Sequence, residues 1–427
     1  MSKKIALITL GCSKNTVDSE FIAQELVDNQ FIVKFEEASD VDTVIINTCS
    51  FINDAKEESI EEILNYLELK KSGEIEKVYV VGCLAQRYQA ELLQEMPEID
   101  GVFSYAQMPD FYRLLNADFK NHQTRRFLST PAHYAYLKIS EGCDRSCAYC
   151  AIPLIRGKHV SKPENLLIEE AKNLAQSGVK ELILTAQDLT YYGLDKDKKR
   201  TLTALVEKLV VIEGIEWIRL HYAYPQGFPL DLLDLMRQHP KICNYLDIPF
   251  QHINTEILQT MKRGSTSDEI YRLIEEIREK VPNIALRTTL ITGFTGETLK
   301  QHRELIEFVK RVRFERLGVF TYSPEEGTSA FALGDTVSQT VKLRRMEELL
   351  AVQQDIALAH NTALVGQTLK TLIDREDEEF YYGRTEFDSP EVDNEVLISK
   401  TMALEIGAFY PVEITAADYF DVFGAIK

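Results

Sequence analysis

Three cysteines lie within eight residues near the middle of the chain, at Cys143, Cys147 and Cys150. Thiols at this C-x3-C-x2-C spacing indicate a metal site, because thiolates are metal ligands. A structural zinc site needs four ligands, and the nearest histidines, His133 and His159, lie outside the motif. Three thiolates on an iron–sulfur cube leave one iron open to a small molecule. The spacing therefore favours a catalytic cluster over zinc, and either of them over three cysteines that bind no metal.

Three further cysteines each follow an apolar run that is rich in β-formers. Cys12 follows IALITLG, Cys49 follows VIINT and Cys83 follows VYVVG. Residues after parallel strands gather at the carboxyl edge of the sheet, where such folds bind ligands, so these thiols are expected to meet and hold a second metal group. The alternative is that each is a small buried hydrophobic residue. Cys243, which has no partner at a similar spacing, fits this alternative better.

The elements that must position the second group of thiols are predicted from hydrophobic periodicity. Up to about residue 100, the apolar runs Ile5–Leu10, Thr43–Asn47 and Val78–Val81 alternate with helical patterns. This order predicts a parallel α/β sheet. Asn15 is the expected N-cap of the first helix. The mixed polar and aromatic residues 101–133 are expected to form a connector.

A second α/β unit is predicted from Tyr136 onward, followed by a small all-β barrel. Six strand–helix units indicate an incomplete parallel (β/α)6 barrel with its active site at the C-terminal ends of the strands. The last segment has short strands and Gly or Pro turns. We expect domains at 3–125, 130–362 and 363–427. The predicted barrel strands are Tyr136–Ser140, Glu181–Thr185, Trp217–Tyr222, Tyr245–Pro249, Ile284–Ile291 and Arg316–Tyr322.

The charge of the chain is strongly acidic. It has 48 basic and 67 acidic residues, a net charge of −19, and residues 361–427 alone carry five basic and fourteen acidic residues, a net charge of −9. Such a field repels phosphate backbones, so no free nucleic acid partner is expected. No apolar run approaches the roughly 18 residues of a membrane span, and no export signal is visible. We therefore expect a cytoplasmic protein without a membrane partner.

The C-x3-C-x2-C motif after the first strand of a six-unit barrel resembles that of the radical S-adenosylmethionine (SAM) enzymes. In that family the open iron binds the amino and carboxylate groups of SAM, and an electron from the cluster cleaves SAM to a 5′-deoxyadenosyl radical. The order of a three-cysteine domain, a radical SAM barrel and a terminal OB-like TRAM barrel is similar to that of the methylthiotransferases. The resemblance implies two [4Fe-4S] clusters. One would be held by Cys143, Cys147 and Cys150, and an auxiliary one that carries sulfur by Cys12, Cys49 and Cys83.

Three other residues are assigned to the cofactor by the same resemblance. Tyr149, between the second and third ligands, is placed against the adenine, with a plain packing role as the alternative. Gln187 stands where related barrels contact the methionine end of SAM, and Arg287 lies in the fifth barrel strand. His252, just past the fourth strand, is more simply a structural residue.

The substrate is indicated by resemblance to one branch of the methylthiotransferases, the enzymes that add a methylthio group to the β-carbon of an aspartate in ribosomal protein S-twelve. The stretches that carry it are LGCSKNTVDSE, EGCDRSCAYCAIPLIRGKHVSKP, YAYPQGFP, YLDIPFQHIN and GRTEFDSPEVDN. One alternative is the same chemistry on an adenosine of transfer RNA, which the acidic charge disfavours. Another is an iron–sulfur carrier without enzymatic activity. The sulfur and electron donors and the oligomeric state are not indicated by the sequence.

Overall fold

The N-terminal unit is a parallel sheet flanked by helices, in a computed structural model that describes residues 3–426. Its five strands have the order β2-β1-β3-β4-β5, and all neighbours are parallel. The predicted α/β sheet is confirmed, although β2 and β5 were not predicted. The elements are β1 (Lys4–Thr9), α1 (Ser13–Asp28), β2 (Ile32–Phe35), β3 (Thr43–Thr48), α2 (Asn53–Ser72), β4 (Lys77–Gly82), α3 (Cys83–Glu95), β5 (Gly101–Val102) and α4 (Met108–Leu114).

The prediction that Asn15 caps the first helix is wrong. Helix α1 begins at Ser13 with Cys12 as its N-cap. Asn15 is fully buried inside the helix, and its side-chain amide donates to the Leu10 carbonyl at 2.7 Å and to the Thr48 carbonyl at 3.1 Å. The side chain therefore joins the carboxyl ends of β1 and β3 instead of capping the helix. The predicted connector 101–133 also contains regular structure, because β5 and α4 lie within it.

The central unit is an open six-stranded parallel sheet of the predicted (β/α)6 type. Its strand order is β13-β12-β11-β10-β9-β6, with β6 and β13 at the edges. The incomplete barrel is thereby confirmed. Its elements are β6 (Tyr134–Lys138), β7 (Ser140–Glu141), α5 (Ile152–Arg156), β8 (Val160–Ser161), α6 (Glu164–Gln176), β9 (Glu181–Thr185), α7 (Leu194–Asp197), α8 (Leu202–Leu209), β10 (Trp217–Leu220), α9 (Asp231–Gln238), β11 (Ile242–Asp247), α10 (Thr255–Thr260), α11 (Ser267–Lys280), β12 (Ala285–Thr292), α12 (Leu299–Val312), β13 (Arg316–Thr321) and α13 (Gln339–Ala363).

The C-terminal unit is the predicted small all-β barrel. Five strands close in the order β14-β15-β16-β18-β17. The third domain was expected to extend to Lys427, which lies outside the described residues. The strands are β14 (Thr368–Glu376), β15 (Phe380–Arg384), β16 (Val396–Ser399), β17 (Phe409–Ala417) and β18 (Val422–Ile426).

The small barrel packs against the N-terminal ends of the central strands. Cys243 is buried there beside Trp217 and Leu372, as expected for a core residue. The loop between β15 and β16 enters the open barrel, where the Ser389 hydroxyl lies 2.8 Å from Nε2 of His221. The opposite ends of the strands face the N-terminal unit. Among residues 3–426, no helix combines the length and the apolar character needed to cross a membrane.

Candidate functional site

The first group of thiols lies in the loop between β7 and α5. Gly142 opens this loop with φ of +75°, and a Cβ at this position would lie 2.1 Å from the Lys158 carbonyl oxygen, so only glycine fits. The Cys143 amide donates to the Gly157 carbonyl at 3.1 Å, which holds the loop in place. The thiols of Cys143, Cys147 and Cys150 are partly exposed and form no disulfide. They are therefore accessible to a metal group.

Two arginines place positive charge beside these thiols. Nη1 of Arg263 lies 3.5 Å from Sγ of Cys147 and donates to the Tyr149 hydroxyl at 3.2 Å. The guanidinium carbons of Arg145 and Arg263 lie 3.9 Å and 4.2 Å from the ring centroid of Tyr224. Cationic side chains at this distance stabilise a thiolate-ligated cluster, whose net charge is negative.

The donor chemistry of the loop fits an iron–sulfur cluster. Burial raises the pKa of Cys143 to about 11 and the pKa of Cys150 to about 12, so both thiols stay protonated at neutral pH unless a cation replaces the proton. Within the described residues, no three Cys, His, Asp or Glu side chains are grouped as the ligands of a single metal ion. A four-iron cluster binds one thiolate per iron, and its ligands stand around a larger group. Three thiols on one loop therefore fit the ligand set of such a cluster.

The second group of thiols lies at the carboxyl edge of the N-terminal sheet, as the strand pattern predicts. Cys12, Cys49 and Cys83 directly follow or adjoin β1, β3 and β4, which are neighbours in the sheet. Gly11 has φ of +97°, and a Cβ there would lie 2.7 Å from Cβ and 2.9 Å from Sγ of Cys49. Sγ of Cys83 lies 3.7 Å from Oδ1 of Asn15. The fold thus brings three distant cysteines to one edge.

The direction of the pKa shift is not the same for all three thiols of this edge. Burial, with a smaller contribution from the neighbouring Cys83 and Cys12, raises the pKa of Cys49 to about 12. Burial also opposes ionisation of Cys12, but the charge of Lys14 and the backbone amides of Asn15 and Lys14 outweigh it and lower the pKa of Cys12. A buried thiol in positive surroundings has the character of a metal ligand. This donor set also fits a cluster.

The edge that carries the second group of thiols packs against the segment that follows the C-x3-C-x2-C motif. Cys83 packs against Ala151, which directly follows the motif, and against Ile155 in α5. Arg156, at the end of α5, crosses the interface and donates to Oδ2 of Asp18 at 2.6 Å. Its guanidinium carbon also lies 4.2 Å from the ring centroid of Tyr105. The second group of thiols therefore lies at the boundary with the unit that carries the first.

Gln187 lies near the first group of thiols, and its side-chain oxygen accepts no hydrogen bond among the described residues. Its amide donates to Oε1 of Glu141 at 2.8 Å, while its own Oε1 is buried without a hydrogen-bond partner. The neighbouring Ser140 hydroxyl is also buried without a partner. Orphaned acceptors of this kind suit the ammonium group of a bound amino acid. The residues present therefore fit the methionine end of SAM.

Tyr149 and Arg287, the other two predicted cofactor residues, lie in different surroundings. The Tyr149 ring packs against an apolar cluster that includes Met261 and Phe294, beside the thiols. Arg287 points to the terminal barrel, where its Nη1 lies 2.6 Å from Oδ1 of Asp393. The structure thus brings Tyr149 to the cysteines but gives the Arg287 guanidinium an interdomain partner. The cofactor roles of both residues stay predictions.

Several residues of the site were not predicted from the sequence. Arg145 lies inside the C-x3-C-x2-C motif, so its position alone was a usable signal. Arg156 and Lys14 lie within a few residues of ligand cysteines, and their charge could have drawn attention to them. Arg263 follows α10, far along the chain from the motif. It reaches Cys147 only through the tertiary fold, which no local pattern indicates.

Three family models match the chain in the order of its units. Residues 4–104 match the uncharacterized protein family UPF0004, residues 137–309 the Radical SAM superfamily and residues 365–426 the TRAM domain. Among solved structures, the cobalamin-dependent SAM radical enzyme OxsB is similar in fold, with a TM-score of 0.53 at 12% identity over 82% of this chain and 56% of that one. The radical SAM methyltransferase TsrM from Kitasatospora setae gives 0.52 at 14% identity, over 76% of this chain and 74% of that one.

Relatives that carry one name match the chain from end to end. Ribosomal protein uS12 methylthiotransferase RimO of Christiangramia forsetii is 51% identical, over 99% of this chain and 94% of its own length. Its namesakes in Cytophaga hutchinsonii and Bacteroides thetaiotaomicron are 49% and 48% identical, each over 99% of this chain and 98% of their own length. With this identity and coverage, the chain belongs to the RimO family of radical SAM methylthiotransferases.

Proposed function

We propose that this protein adds a methylthio group to the β-carbon of an aspartate in ribosomal protein uS12. The observation that carries the proposal is the packing of Cys83 on Ala151 and Ile155, which brings the second group of thiols against the C-x3-C-x2-C loop. A sulfur-carrying group and a radical-generating group must act on one substrate carbon. An interface shared by both groups of thiols meets that requirement.

Cys143, Cys147 and Cys150 would hold the radical SAM cluster, which supplies, when SAM is bound, the electron that cleaves SAM to a 5′-deoxyadenosyl radical. Arg145 and Arg263 offset the negative charge of the thiolates. Glu141 and Gln187 have acceptor atoms at the end of β7 and after β9, which suit the methionine end of SAM.

Cys12, Cys49 and Cys83 would hold the auxiliary [4Fe-4S] cluster that carries the sulfur. Arg156 and Asp18 fix the position of this edge against the motif loop, because their ion pair spans the interface. The Arg156 guanidinium is 3% exposed, so the pair excludes water from the boundary of the site.

A ribosomal protein substrate places the enzyme in the cytoplasm, and whole-length similarity to uS12 enzymes favours this substrate over transfer RNA. No observation specifically favours the transfer-RNA alternative.

The test is an anaerobic reaction of the reconstituted enzyme with reductant, SAM and purified uS12. We expect mass spectrometry of the digested product to find a methylthio adduct on an aspartate. If 5′-deoxyadenosine forms without an adduct on uS12, the substrate assignment is wrong and transfer RNA is the next candidate. If neither product forms on an enzyme with intact clusters, the proposed reaction is wrong.

Cysteine variants assign the two clusters. Replacing Cys143 by Ala should abolish 5′-deoxyadenosine formation, whereas replacing Cys49 by Ala should preserve it and abolish the adduct. Cys243→Ala is the matched control, because this thiol is equally buried but lies in the core between the barrel and the terminal unit. Adduct formation by the Cys49 variant would contradict the auxiliary-cluster assignment.

A further inference from the structure

Lys14 crosses from the N-terminal unit to the mouth of the central barrel. It is the second residue of α1 and follows Cys12 by two positions. Its ammonium nitrogen lies 3.6 Å from the ring centroid of Tyr222, which follows β10. The residue is only 9% exposed. A cation on a mostly buried side chain therefore stands between the second group of thiols and the central barrel.

The Lys14 ammonium has no hydrogen bond or ion pair with any residue of 3–426, apart from its contact with the Tyr222 ring. The side chain is mostly buried, but its nitrogen is not among the fully enclosed polar atoms, and the aromatic face offsets only part of the cost of its desolvation. Lys342 shows the usual solution, since it is 1% exposed but donates to the Tyr322 carbonyl at 2.8 Å and to Asp335 at 2.7 Å. Among the described residues Lys14 lacks such partners, and its charge acts on the Cys12 thiol without a hydrogen bond, so its three donors remain free for an acceptor from outside the chain.

The other cations around the site already have anionic or polar partners. Asp247 acts on the charge of Lys14, but its Oδ2 lies 4.0 Å from Nε of Arg287 and it forms no ion pair with Lys14 among the described residues. The pairs that engage the remaining arginines are Arg145 with Asp188, Arg156 with Asp18, Arg263 with the Pro249 carbonyl and Arg287 with Asp393. Lys14 is therefore the cation that remains available at this interface.

We propose that Lys14 binds the side-chain carboxylate of the substrate aspartate and so determines the specificity for aspartate. This inference rests on the proposed function, which requires an aspartate β-carbon to reach this interface. The carboxylate carbon is bonded directly to the β-carbon, so an ion pair with Lys14 fixes the reacting carbon one bond away. A compact ammonium with three donors suits a single carboxylate held in a dry site.

The test is a cycle of two enzymes and two substrates. Wild-type enzyme and the Lys14→Met variant are reconstituted anaerobically and reacted with uS12 that carries either the native aspartate or asparagine at the modified position. Methionine preserves the length of the side chain and removes its charge. Iron content and 5′-deoxyadenosine formation are measured for each enzyme. Lys342→Gln is the matched control, a buried lysine that has partners within the chain.

We expect the Lys14 variant to lose at least about 30-fold in kcat/KM on the aspartate substrate, as when one partner of a buried ion pair is truncated. Its preference for aspartate over asparagine should fall to within about threefold. The control should alter both substrates equally. Wild-type enzyme should also bind the aspartate form of uS12 more tightly than the asparagine form, which tests the inference even if the variant folds poorly.

Equal losses on both substrates, or a loss explained by missing iron, would overturn the role of Lys14 while leaving the proposed function intact. Equal binding of the two substrate forms by wild-type enzyme would overturn it as well. If wild-type enzyme forms no adduct on the aspartate substrate, the proposed function fails and this inference fails with it.

Discussion

Glu181 of the central barrel forms two buried ion pairs, one with Arg219 of the same barrel and one with Arg384 of the terminal barrel. Its Oε1 accepts from Nε of Arg219 at 2.7 Å and its Oε2 accepts from Nη2 of Arg384 at 2.8 Å. The side chains of Glu181 and Arg219 are fully buried, and that of Arg384 is 2% exposed. Burial opposes ionisation of Glu181, but Arg384 and Arg219 outweigh it and lower the pKa of its carboxyl. The charged carboxylate therefore holds two arginines from different units.

Glu181→Gln keeps the shape of the side chain and removes its charge, so Arg219 loses its anionic partner, whereas Arg384 loses one of two and keeps Asp374. Breaking a buried pair in this way costs about 3–5 kcal/mol. With a slope of about 2–3 kcal/mol per molar urea, the unfolding midpoint should fall by about 1–2.5 M. The assay is the fluorescence of Trp217, the only tryptophan, whose ring centroid lies 4.7 Å from that of Phe409 in the terminal barrel. The fluorescence of Trp217 therefore reports on the interface between the central and the terminal barrel.

Glu216→Gln is the matched control. Glu216 pairs with Lys370 at 2.9 Å across the same two units, but both side chains are nearly half exposed, so the expected cost is below about 1 kcal/mol. Because the pKa of Glu181 is lowered by folding, its stabilisation is present above the unfolded value of about 4.3 and is lost as the pH falls through the folded value. The difference between wild type and Glu181→Gln should therefore shrink on acidification. Equal midpoints for the two variants at pH 7 would refute the reasoning.

Three further substitutions test the site and its surroundings. Arg156→Met removes the ion pair across the interface, so the amount of 5′-deoxyadenosine formed per methylthio product should rise at least about threefold, as measured by chromatography and mass spectrometry. Gly11→Ala places a Cβ 2.7 Å from that of Cys49, so iron analysis should find a loss of roughly half the iron, the auxiliary cluster. Burial raises the pKa of Asp247 to about 6 from an unfolded value of about 3.9, so its ionisation destabilises the fold as the pH rises. Asp247→Asn should therefore raise the free energy of unfolding at pH 8 by up to about 3 kcal/mol, and by less than about 0.5 kcal/mol at a pH of about 3.9 and below, as measured by urea unfolding.

Each of these has a result that would contradict it. For Arg156→Met, that result is an unchanged ratio of 5′-deoxyadenosine to methylthio product. Gly73→Ala is the control for Gly11, because its φ is +84° but nothing lies within 4 Å of the added Cβ. Equal iron in the two glycine variants would show that displacement of Cys49 is not the cause. For Asp247, a stability gain that does not depend on pH would rule out ionisation as its source.

The strands were largely predictable because a buried strand is a short apolar run in the sequence. Glu181–Thr185 is predicted with its observed bounds, since a short apolar run lies between polar turns. The first barrel strand was expected at Tyr136–Ser140 but lies at Tyr134–Lys138, because the apolar pattern there does not mark an end. The edge strand Ile32–Phe35 was missed, since its residues are only partly buried and follow no clear alternation.

The candidate site, like the fold, could be predicted from the sequence only in part. Cysteines are rare and their spacing is informative, so the sequence located both groups of thiols after strands, where the structure has them, while their roles as cluster ligands stay predictions. The assignment of Asn15 as a cap failed because its buried amide satisfies two carbonyls at strand ends, a role that depends on the neighbouring strand. Arg287 was assigned by homologous position, but its guanidinium meets Asp393, a residue contributed by another domain. Contacts between domains are set by docking, and local sequence does not encode them.

The acidic terminal barrel shows how a charge count differs from a surface charge. Asp388 pairs with Arg316, and Asp393 pairs with Arg287, both across the domain interface, with side chains 6% and 0% exposed. Oδ1 of Asp374 lies 2.8 Å from Nε2 of His133, the residue just before β6 of the central sheet. These carboxylates hold the barrel against the central sheet and present little charge to solvent. The net charge of −9 therefore overstates the field that a basic partner would meet. The electrostatic preference for a ribosomal protein over RNA must come from the acids that remain exposed, such as Glu378 and Glu379.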